Sequence, residues 1–577
     1  MVNSIRIDRD VPMKMRDGVI LRADIFRPDD NERHPAIVSR TPYNKLMSYN
    51  SDFLSPVTAA FAGYAFIAQD IRGRFASEGT WLPGTAEGPD SYDTIENVAN
   101  EKWCDGNVGM SGGSYLGQIQ WLAAAENPPH LKAIAPDIVG SGPVMDFRLA
   151  GPIDFEMGIS WSIGQAVNVI ERLKQAGKDV SKSQEILERA RFNLAEVYSY
   201  LPVNDIPYFK YEGLEGVLSR LTDTLPPVIK TDEDMFWPYQ KVKVPCFYAT
   251  GWYDIATGGI FRNFSNMRIK AGSQIARDGQ YIICGPWVHG ARLPVSIGAV
   301  HFGPLASGMA SFISERRIAY YDKYLRGIES NTSNPPVHYF VMGLNQWHDA
   351  ETWPLPQTEW QRFFLHSRGQ ANTSAGNGML TRDNPSSEPA DKFIYDPMFP
   401  TPTVGGRLLD TGSMVPGPQE QGIVEKRNDV LCYTTPELNQ KIEITGPLEL
   451  HLFAATTVKD TDFVAKLIDV YPDGSAYNIA EGVIRARYRK GLLHPEFPNP
   501  GQVYEYTIDM AHTSIVFKQG HRIRIDIASA NFPRFDRNMN TGNAFGADKT
   551  GIPAMQTILH DAKYASYIDL PVIPSKK

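Results

Sequence analysis

The sequence predicts an α/β fold in which a helix-covered parallel sheet is interrupted by a helical segment and followed by a β-rich region. Three observations predict this fold. Short apolar runs alternate with helical patterns in the first part of the chain, helical spacing replaces the strand patterns over residues 142–242, and alternating apolar and polar residues dominate beyond residue 417. The 577 residues also exceed the roughly 250 to 300 at which a single core stops growing, so we expect two or three domains.

The first part of the chain contains four short apolar runs that have the length of buried strands. These runs are residues 36–38, 65–68, 108–110 and 131–135. Apolar strands separated by helical patterns are typical of a parallel sheet with helices on both faces. We therefore predict such a sheet, with residues 1–145 as the first part of its domain.

A helical segment interrupts this sheet domain. Ile186, Leu187, Ala190 and Leu194 have the spacing of one helical face. Because strand patterns resume at residues 244–249 and 281–284, the helical segment is inserted into the domain and does not follow it. We predict a helical cap at residues 146–242 and the second part of the sheet domain at residues 243–353.

The last part of the chain, residues 354–577, is predicted to form a β-sandwich or jelly roll. Residues 370–417 are rich in Gly, Ser, Asn and Pro and indicate turns and loops. Beyond them, residues 448–452, 503–508 and 522–527 alternate apolar with polar side chains, as antiparallel strands with one buried face do. Such a domain can close one wall of a site or mediate self-association into a homo-oligomer.

Composition and charge argue against several classes of function. The formal net charge is −8, with acidic and basic residues interleaved, which argues against nucleic acid as a partner. No apolar stretch is long enough to cross a membrane, and the first residues lack the apolar core of a signal peptide, so we expect a cytoplasmic protein. Since the four cysteines, Cys104, Cys246, Cys284 and Cys432, lie far apart, we expect buried thiols without a disulfide or a zinc site. We expect neither a metal nor a cofactor.

Ser114 is the candidate nucleophile. It lies in the segment SGGSYLG, residues 111–117, with a predicted strand before it and helical spacing after it. A nucleophile elbow requires this context, because the sharp turn between strand and helix presents the serine hydroxyl to a substrate. The usual pattern G-x-S-x-G would place its second glycine at 116, where this chain has Leu116 followed by Gly117. The alternative interpretation is a glycine-rich turn without chemistry.

The partners of Ser114 are predicted to be His289 and Asp254. A serine hydroxyl needs a base within hydrogen-bond reach, and a histidine base needs an acid that orients it. In doubly wound hydrolases the order along the chain is Ser, acid, His. Asp254 follows the apolar run at residues 247–253 and His289 follows the run that starts at residue 281, so both come at strand ends.

Asp70 is the rival candidate for the acid. It also follows an apolar run, but it precedes the serine in the chain and is followed by Arg72 and Arg74. We interpret it as a structural ion-pair residue.

Two groups are predicted to stabilise the negative charge that develops on a carbonyl oxygen during acyl transfer. One is the backbone N–H of Tyr115, which directly follows the nucleophile. The other should come from the loop at residues 40–45, where Pro42 has no N–H to offer. Tyr43 carries a phenol that can donate instead. The alternative interpretation is a tyrosine that packs at a loop corner.

Eight segments together resemble the bacterial cocaine esterase family, within the wider group of X-Pro dipeptidyl-peptidase-like and α-amino-acid ester hydrolases. They are RTPY at 40–43, QDIRG at 69–73, SEG at 77–79, WCDGNVGM at 103–110, GSYLG at 113–117, GWYD at 251–254, GPWVH at 285–289 and NFPRFDRN at 531–538. The resemblance spans nearly the whole chain and implies an α/β-hydrolase core, an inserted helical cap and a C-terminal jelly roll. It also implies a serine carboxylesterase that works through an acyl-enzyme, with Tyr43 and the Tyr115 amide as oxyanion hole.

The substrate pocket departs from the pattern of cocaine-cleaving relatives. These relatives are expected to hold the benzoyl group with an aromatic residue two places after the aspartate, where this chain has Ala256, and with a Leu-Phe pair, which appears here as Leu409-Asp410. We therefore expect a small-molecule ester other than cocaine. The residues predicted to line the pocket are Trp161, Trp252, Ile255, Ala256, Trp287 and Leu409.

Two other functions stay open at this point. Amide cleavage, as in β-lactam acylases or proline-specific dipeptidases, needs carboxylates beside the nucleophile that read an ammonium group. Asp154 and Glu156 are the candidates, although a solvated helix face explains them more simply. The third hypothesis is a binding protein on an inactive hydrolase fold, which the intact set of serine, aspartate, histidine and tyrosine argues against.

Overall fold

The computed structural model describes residues 4–50, 53–144, 146–219, 221, 225–226, 228–290, 292–329, 335–409, 412 and 414–574. In the described part of the chain before residue 351, twelve strands are present. They are β1 (Ile5–Lys14), β2 (Ile20–Pro28), β3 (His34–Thr41), β4 (Ala65–Asp70), β5 (Cys104–Gly113), β6 (Leu131–Asp137), β7 (Cys246–Tyr253), β8 (Gln280–Val288), β9 (Ser296–Ile297), β10 (Val300–His301), β11 (Val337–Val341) and β12 (Gln346–Ala350).

Ten of these strands form one sheet, in the order β1-β2-β4-β3-β5-β6-β7-β8-β11-β12. The strands from β4 to β11 in this order are parallel to one another, and β1, β2 and β12 are antiparallel additions. All residues of β4 and β7 are buried, as expected where helices cover both faces of a parallel sheet. The parallel sheet and its predicted strands are confirmed.

Helices connect the strands and form the insertion. They are α1 (Pro56–Phe61), α2 (Glu87–Ala99), α3 (Tyr115–Glu126), α4 (Phe155–Gln175), α5 (Ser181–Phe192), α6 (Leu194–Ser199), α7 (Glu215–Ser219), α8 (Thr257–Lys270), α9 (Gln274–Asp278), α10 (Ile313–Tyr321) and α11 (Gly422–Glu425). Short 3₁₀ segments lie at Lys45–Asn50, Asp146–Ala150, Val203–Asp205, Pro207–Lys210, Asp232–Met235, Tyr239–Lys241, Pro304–Ala306 and Ala486–Tyr488, and a π-helical turn lies at Asp322–Arg326.

The helical insertion has an apolar core of its own. Helices α4 to α7 bury a cluster that includes Ile159, Ile163, Ile186 and Leu187. The face predicted from the spacing of residues 186–190 is therefore buried, while Leu194 begins the next helix, α6. A separate core of this kind is what an inserted cap needs in order to fold as a unit.

The described residues of the C-terminal region form strands, short helical turns and loops. Its strands are β13 (Glu359–His366), β14 (Met379–Thr381), β15 (Asp391–Tyr395), β16 (Leu431–Thr434), β17 (Ile442–Thr456), β18 (Asp462–Val470), β19 (Ala476–Arg485), β20 (Tyr504–Phe517), β21 (Arg522–Ala528), β22 (Ala554–Leu559) and β23 (Tyr567–Ile573). They form one hydrogen-bonded network, in the order β15-β22-β17-β23-β13-β14-β16-β21-β18-β19, with β20 paired to β17. The three alternating segments predicted as strands lie in β17, β20 and β21, and the fold class is confirmed.

The sequence predicts turns and loops at residues 370–417, and the structure adds two short strands there. Strands β14 and β15 lie in this stretch and have only three and five residues. In strands this short, flanked by turn-forming residues, the alternation of apolar and polar side chains cannot be recognised in the sequence. The conformation of β15 is instead set by its pairing with β22. The proposed domain boundaries stay predictions.

The four cysteines are buried and free, as the sequence predicts. Their burial raises the pKa of each thiol. Among the helices of the described residues, none combines the length and apolar character that crossing a bilayer demands.

Candidate active site

Ser114 lies at a strained turn between β5 and α3. Its φ is 61° and its ψ is −123°, a conformation that costs free energy for any residue with a Cβ. The Ser114 N–H donates to the carbonyl oxygen of Asp137 at 2.9 Å, which ties the turn to the end of the neighbouring strand β6. The sharp turn that the glycine-rich segment at residues 111–117 predicts is therefore present.

The position of the second glycine has a steric explanation. A Cβ at Gly112 would lie 2.7 Å from the Leu116 Cβ, so Leu116 packs directly over the backbone of Gly112. At Gly117, a Cβ would lie 2.9 Å from the Asp137 carbonyl oxygen. Close approach of α3 to β6 thus requires glycine at 117, and position 116 accepts a leucine.

His289 and Asp254 meet Ser114 in a chain of hydrogen bonds. His289 Nε2 lies 3.1 Å from Ser114 Oγ, and His289 Nδ1 lies 2.9 Å from Asp254 Oδ1. Since a carboxylate can only accept, Nδ1 carries the hydrogen and Nε2 is left to accept from the serine hydroxyl. This is the arrangement of a nucleophile, a base and a residue that orients the base.

The Asp254 carboxylate is fully buried at the end of β7. Besides His289, it accepts the Ala256 backbone N–H at 2.8 Å through Oδ1, and the Thr250 hydroxyl lies 3.3 Å from Oδ2. These donors fix the orientation of the Asp254 carboxylate, and neither of them is bonded to Ser114. Asp254 can therefore hold the imidazole in one orientation.

Tyr43 follows β3 and is half-buried. Its hydroxyl oxygen accepts a hydrogen bond from Trp161 Nε1 at 3.0 Å. Trp161 belongs to the cap helix α4, and its ring stacks on that of Tyr115, with a centroid distance of 6.1 Å and an interplanar angle of 16°. The Tyr115 hydroxyl donates in turn to Glu87. Contacts thus lead from Tyr43 through the cap to the residue that follows Ser114.

Arg74 holds the loop of Tyr43 from one side. It is almost fully buried, and its Nε donates to the carbonyl oxygen of Pro42 at 3.0 Å. Its Nη2 donates to Gln165 Oε1 of α4 at 2.9 Å. Burial lowers the pKa of Arg74 to about 10, so the guanidinium keeps its charge near neutrality and fastens the loop to the cap.

Asp70 holds the same loop from the other side. Its Oδ1 accepts the Lys45 backbone N–H at 2.7 Å, and its Oδ2 lies 3.7 Å from Lys45 Nζ. Burial raises the pKa of Asp70 to about 6. The interpretation of Asp70 as an ion-pair residue agrees with this contact, but the partner is Lys45, whereas Arg72 pairs with Asp90.

Two predicted pocket residues lie in the core, which corrects the prediction. Trp252 and Trp287 have no exposed surface. Trp252 donates through Nε1 to the Phe340 carbonyl at 2.7 Å, and Trp287 donates to the Ala306 carbonyl at 2.7 Å. Both indoles are therefore satisfied inside the protein and do not line an accessible pocket.

The other predicted pocket residues have different positions. Ile255 and Ala256 are almost fully buried beside Asp254. Trp161 and Leu409 are half-buried, and their place in a substrate pocket stays a prediction. Asp410, the second member of the expected pair, lies outside the described residues.

The carboxylates considered for ammonium recognition already have partners in the protein. Asp154 forms an ion pair with Arg534 of the C-terminal region. Glu156 Oε2 accepts the Leu409 N–H at 3.3 Å, and the residue is fully buried. The interpretation of both as a solvated helix face is therefore wrong. In the part of the chain that the structure describes, no group of three or more His, Cys, Asp or Glu side chains is placed to hold a metal ion.

Sequence reasoning missed the residues that hold Tyr43. Arg74 and Gln165 are buried polar residues, and Trp161 was predicted only as a pocket wall. Buried arginine and glutamine are uncommon unless they are paired, but a sequence does not reveal which of its polar residues will be buried.

Family models match both halves of the chain. The model of the X-Pro dipeptidyl-peptidase (S15 family) matches residues 17–291. The model of the X-Pro dipeptidyl-peptidase C-terminal non-catalytic domain matches residues 330–569. The first match includes the segments that carry Tyr43, Ser114, Asp254 and His289, and the second includes strands β13 to β22 of the β-rich region.

Single proteins also match over nearly the full length. The chain is 34% identical to the cocaine esterase of Rhodococcus sp. (strain MB1 Bresler), over 98% of this chain and 98% of that protein. A solved α-amino acid ester hydrolase has a TM-score of 0.75 and 23% identity, covering 99% of this chain and 97% of that one. An aminopeptidase from a marine sediment archaeon, Thaumarchaeota archaeon, also has a TM-score of 0.75, with 22% identity over 99% of this chain and 96% of that one. The two structural matches show a shared fold.

Proposed function

The chain belongs to the cocaine esterase family of serine ester hydrolases, and from this premise we propose that Ser114, His289 and Asp254 carry out ester cleavage through an acyl-enzyme. The observation that carries the proposal is the hydrogen-bonded chain from Ser114 Oγ through His289 to Asp254, with separations of 3.1 and 2.9 Å. These separations lie within the reach that proton transfer between a nucleophile and its base requires.

In the first half of the reaction, His289 Nε2 takes the proton of the Ser114 hydroxyl while Oγ attacks the ester carbonyl. The carbonyl oxygen becomes an oxyanion, which accepts hydrogen bonds from the Tyr115 backbone N–H and the Tyr43 hydroxyl. Asp254 stabilises the imidazolium through the hydrogen on Nδ1. The imidazolium then gives its Nε2 proton to the leaving alcohol oxygen, and the C–O bond breaks.

In the second half, a water molecule takes the place of the alcohol. His289 Nε2 accepts a proton from this water, and the hydroxide attacks the acyl carbonyl of Ser114. The same two donors hold the second oxyanion. Collapse of this intermediate returns the proton to Ser114 Oγ and releases the carboxylic acid.

The substrate in this proposal is a small-molecule ester. Amide hydrolysis guided by an ammonium group has less support, because Asp154 is paired with Arg534 and Glu156 accepts the Leu409 N–H. The small, buried side chain of Ala256 stands where cocaine-cleaving relatives are expected to have an aromatic ring, which favours an ester other than cocaine. We also propose a cytoplasmic site of action, which the four free thiols support.

The Ser114→Ala variant tests the proposal. Turnover of p-nitrophenyl acetate should fall by about 10⁶-fold, and labelling by a fluorophosphonate probe should be lost, while the thermal unfolding midpoint stays close to that of the parent. Ser111→Ala is the matched control, since this serine lies on β5 in the same glycine-rich segment and should keep both activity and labelling. Retained turnover in Ser114→Ala would refute the assignment.

A matched ester and amide, compared on the purified protein, separate the two substrate classes. We expect the ester to be cleaved far faster. Comparable rates on both would favour the acylase alternative.

A further inference from the structure

The cap residue Trp161 contacts the one side chain that the proposed mechanism uses as an oxyanion donor. Its indole N–H donates to the Tyr43 hydroxyl oxygen at 3.0 Å, and the two residues are 118 positions apart in the chain. We propose that Trp161 is a positioning residue that orients the Tyr43 hydroxyl and strengthens it as a donor. This inference rests on the proposed role of Tyr43 in the oxyanion hole.

The direction of this hydrogen bond fixes the orientation of the phenolic hydrogen. An indole nitrogen can only donate, whereas a tyrosine hydroxyl can donate and accept. In the contact with Trp161, the Tyr43 oxygen must therefore be the acceptor. The indole hydrogen occupies one lone-pair direction of that oxygen, so the Tyr43 hydrogen has to point elsewhere. A hydroxyl rotor with this restriction pays less of the ordering cost when an oxyanion forms.

The same hydrogen bond makes the phenol a better donor. Accepting an N–H hydrogen polarises a hydroxyl group, so its own hydrogen carries more positive charge. The effect is larger where the dielectric is low, and Trp161 and Tyr43 are both half-buried. The charge of the oxyanion exists only in the transition state and the tetrahedral intermediate. The contribution of Trp161 should therefore appear in kcat more than in KM.

The indole itself is held in place by the other half of the proposed oxyanion hole. Its ring stacks on Tyr115 at 6.1 Å, and Tyr115 provides the second donor through its backbone. Trp81 packs edge-on against the Trp161 indole, also at 6.1 Å. One helical turn further along α4, Gln165 is tied by Arg74 to the loop of Tyr43. The position of the indole is thus defined by its contacts with Tyr43, Trp81 and Tyr115.

Kinetics of Trp161→Phe, alone and combined with Tyr43→Phe, test the inference. Tyr43→Phe should lower kcat by about 10² to 10³-fold. Trp161→Phe retains a ring that can stack on Tyr115 but lacks the N–H, and it should lower kcat for p-nitrophenyl acetate by about 3- to 10-fold with KM changed less than about twofold. In the Tyr43→Phe background the same substitution should have almost no effect, because the group that it acts through is gone.

Inhibitor binding gives a second readout. An aryl trifluoromethyl ketone adds to the nucleophile and places a negative oxygen in the oxyanion hole, so its affinity should fall by a factor similar to that of kcat in Trp161→Phe. Trp347→Phe is the matched control, since this half-buried tryptophan also loses an indole N–H, which donates to the Leu305 carbonyl oxygen at 2.7 Å and not to Tyr43. Its effect on kcat should be the same with and without Tyr43→Phe.

The outcomes separate this inference from the proposed function. If Trp161→Phe lowers kcat equally in both backgrounds, or leaves kcat and inhibitor affinity unchanged, the inference is overturned while the role of Tyr43 stands. If Tyr43→Phe alone leaves kcat unchanged, the oxyanion role itself is overturned and this inference with it. Should Trp161→Phe fail to fold, 3-benzothienylalanine at position 161 keeps the ring size, removes only the N–H, and has the same expected and opposing results.

Discussion

The two sides of the candidate site are held in place by different means. Ser114, Asp254 and His289 directly follow strands β5, β7 and β8 of one parallel sheet. The path of the backbone brings them together, since the carboxyl ends of parallel strands lie at the same edge. Tyr43 also follows a strand of this sheet, but its hydroxyl and its loop are held by side chains from elsewhere.

The Tyr43 side depends on long-range side-chain contacts. From the cap helix α4, Trp161 donates to the Tyr43 hydroxyl and Gln165 accepts from Arg74. Arg74, which follows β4, and Asp70, the last residue of β4, hold the loop of Tyr43. In the proposed mechanism, the residues that make and break bonds therefore lie on the sheet, whereas the donor Tyr43 also depends on contacts with the insertion. Changes on the first side should abolish turnover, and changes on the second should reduce it in steps.

The largest effect is expected from Asp254→Asn. An asparagine keeps the shape of the side chain but can hold the imidazole in the wrong tautomer, so kcat should fall by about 10⁴-fold. The matched control is Asp469→Asn in the C-terminal region, where Asp469 and His521 form a buried pair with a similar separation of 2.8 Å. This control should lower the thermal unfolding midpoint without lowering kcat. Equal losses of kcat in both variants would contradict the special role of the sheet edge.

A smaller loss is expected from Tyr43→Phe. In the proposed mechanism this variant keeps only the Tyr115 amide as oxyanion donor, so kcat should fall by about 10² to 10³-fold. The fold should be unchanged, as judged by circular dichroism. Steady-state kinetics on one ester measure this loss. A loss of kcat as large as that of Asp254→Asn would contradict the expected difference between the Tyr43 side and the side of Ser114, His289 and Asp254.

Arg74→Lys addresses the link between the loop and the cap. Lysine keeps the charge but loses the planar fork that contacts both the Pro42 carbonyl and Gln165. We expect kcat to fall by about tenfold, since a small displacement of a catalytic donor is costly. Arg72→Lys is the matched control, because Arg72 pairs with Asp17 and Asp90 and not with the loop of Tyr43. This variant should change kcat by less than about twofold. Similar kcat values in the two variants would contradict the role of Arg74 in holding the loop of Tyr43.

The smallest effect on turnover is expected from Asp70→Asn. This variant tests whether Asp70 holds the loop of Tyr43 by its hydrogen bond to the Lys45 N–H or by its negative charge. An amide oxygen can still accept the Lys45 N–H, so kcat should change by less than about threefold. The pH dependence of stability should change more clearly, because burial raises the pKa of Asp70 to about 6.

The sign of this pH effect follows from proton linkage. An unfolded aspartate has a pKa of about 3.9, so the folded chain binds the proton more tightly. The stability from this proton is complete below pH about 4 and is lost as the pH rises through about 6, by about 2 to 3 kcal/mol in total. Urea unfolding between pH 4 and 7 should show this loss in the parent and not in Asp70→Asn. Parallel curves for the two proteins would contradict it.

The pattern of residues was sufficient to predict the architecture and the three residues of the hydrogen-bonded chain. Each of Ser114, Asp254 and His289 follows an apolar run that forms a strand, and the glycines around Ser114 mark the turn. These signals are local, since the length of a run, a turn residue and the order of the segments are all visible in the primary structure. The same is true of the cap and of the longer strands of the β-rich region.

The side chains that support the site come from remote segments and are selected by packing in the folded protein. Trp161 and Tyr43 are 118 positions apart, and Arg74 and Gln165 are 91 positions apart, so neither contact leaves a periodic trace in the sequence. Trp252 and Trp287 lie inside the core because both faces of a helix-covered sheet are apolar. Strand side chains alternate between these faces, and residue type then cannot tell which way a tryptophan points. Side-chain direction and partner choice are set by packing between remote segments, and packing exists only once the chain has folded.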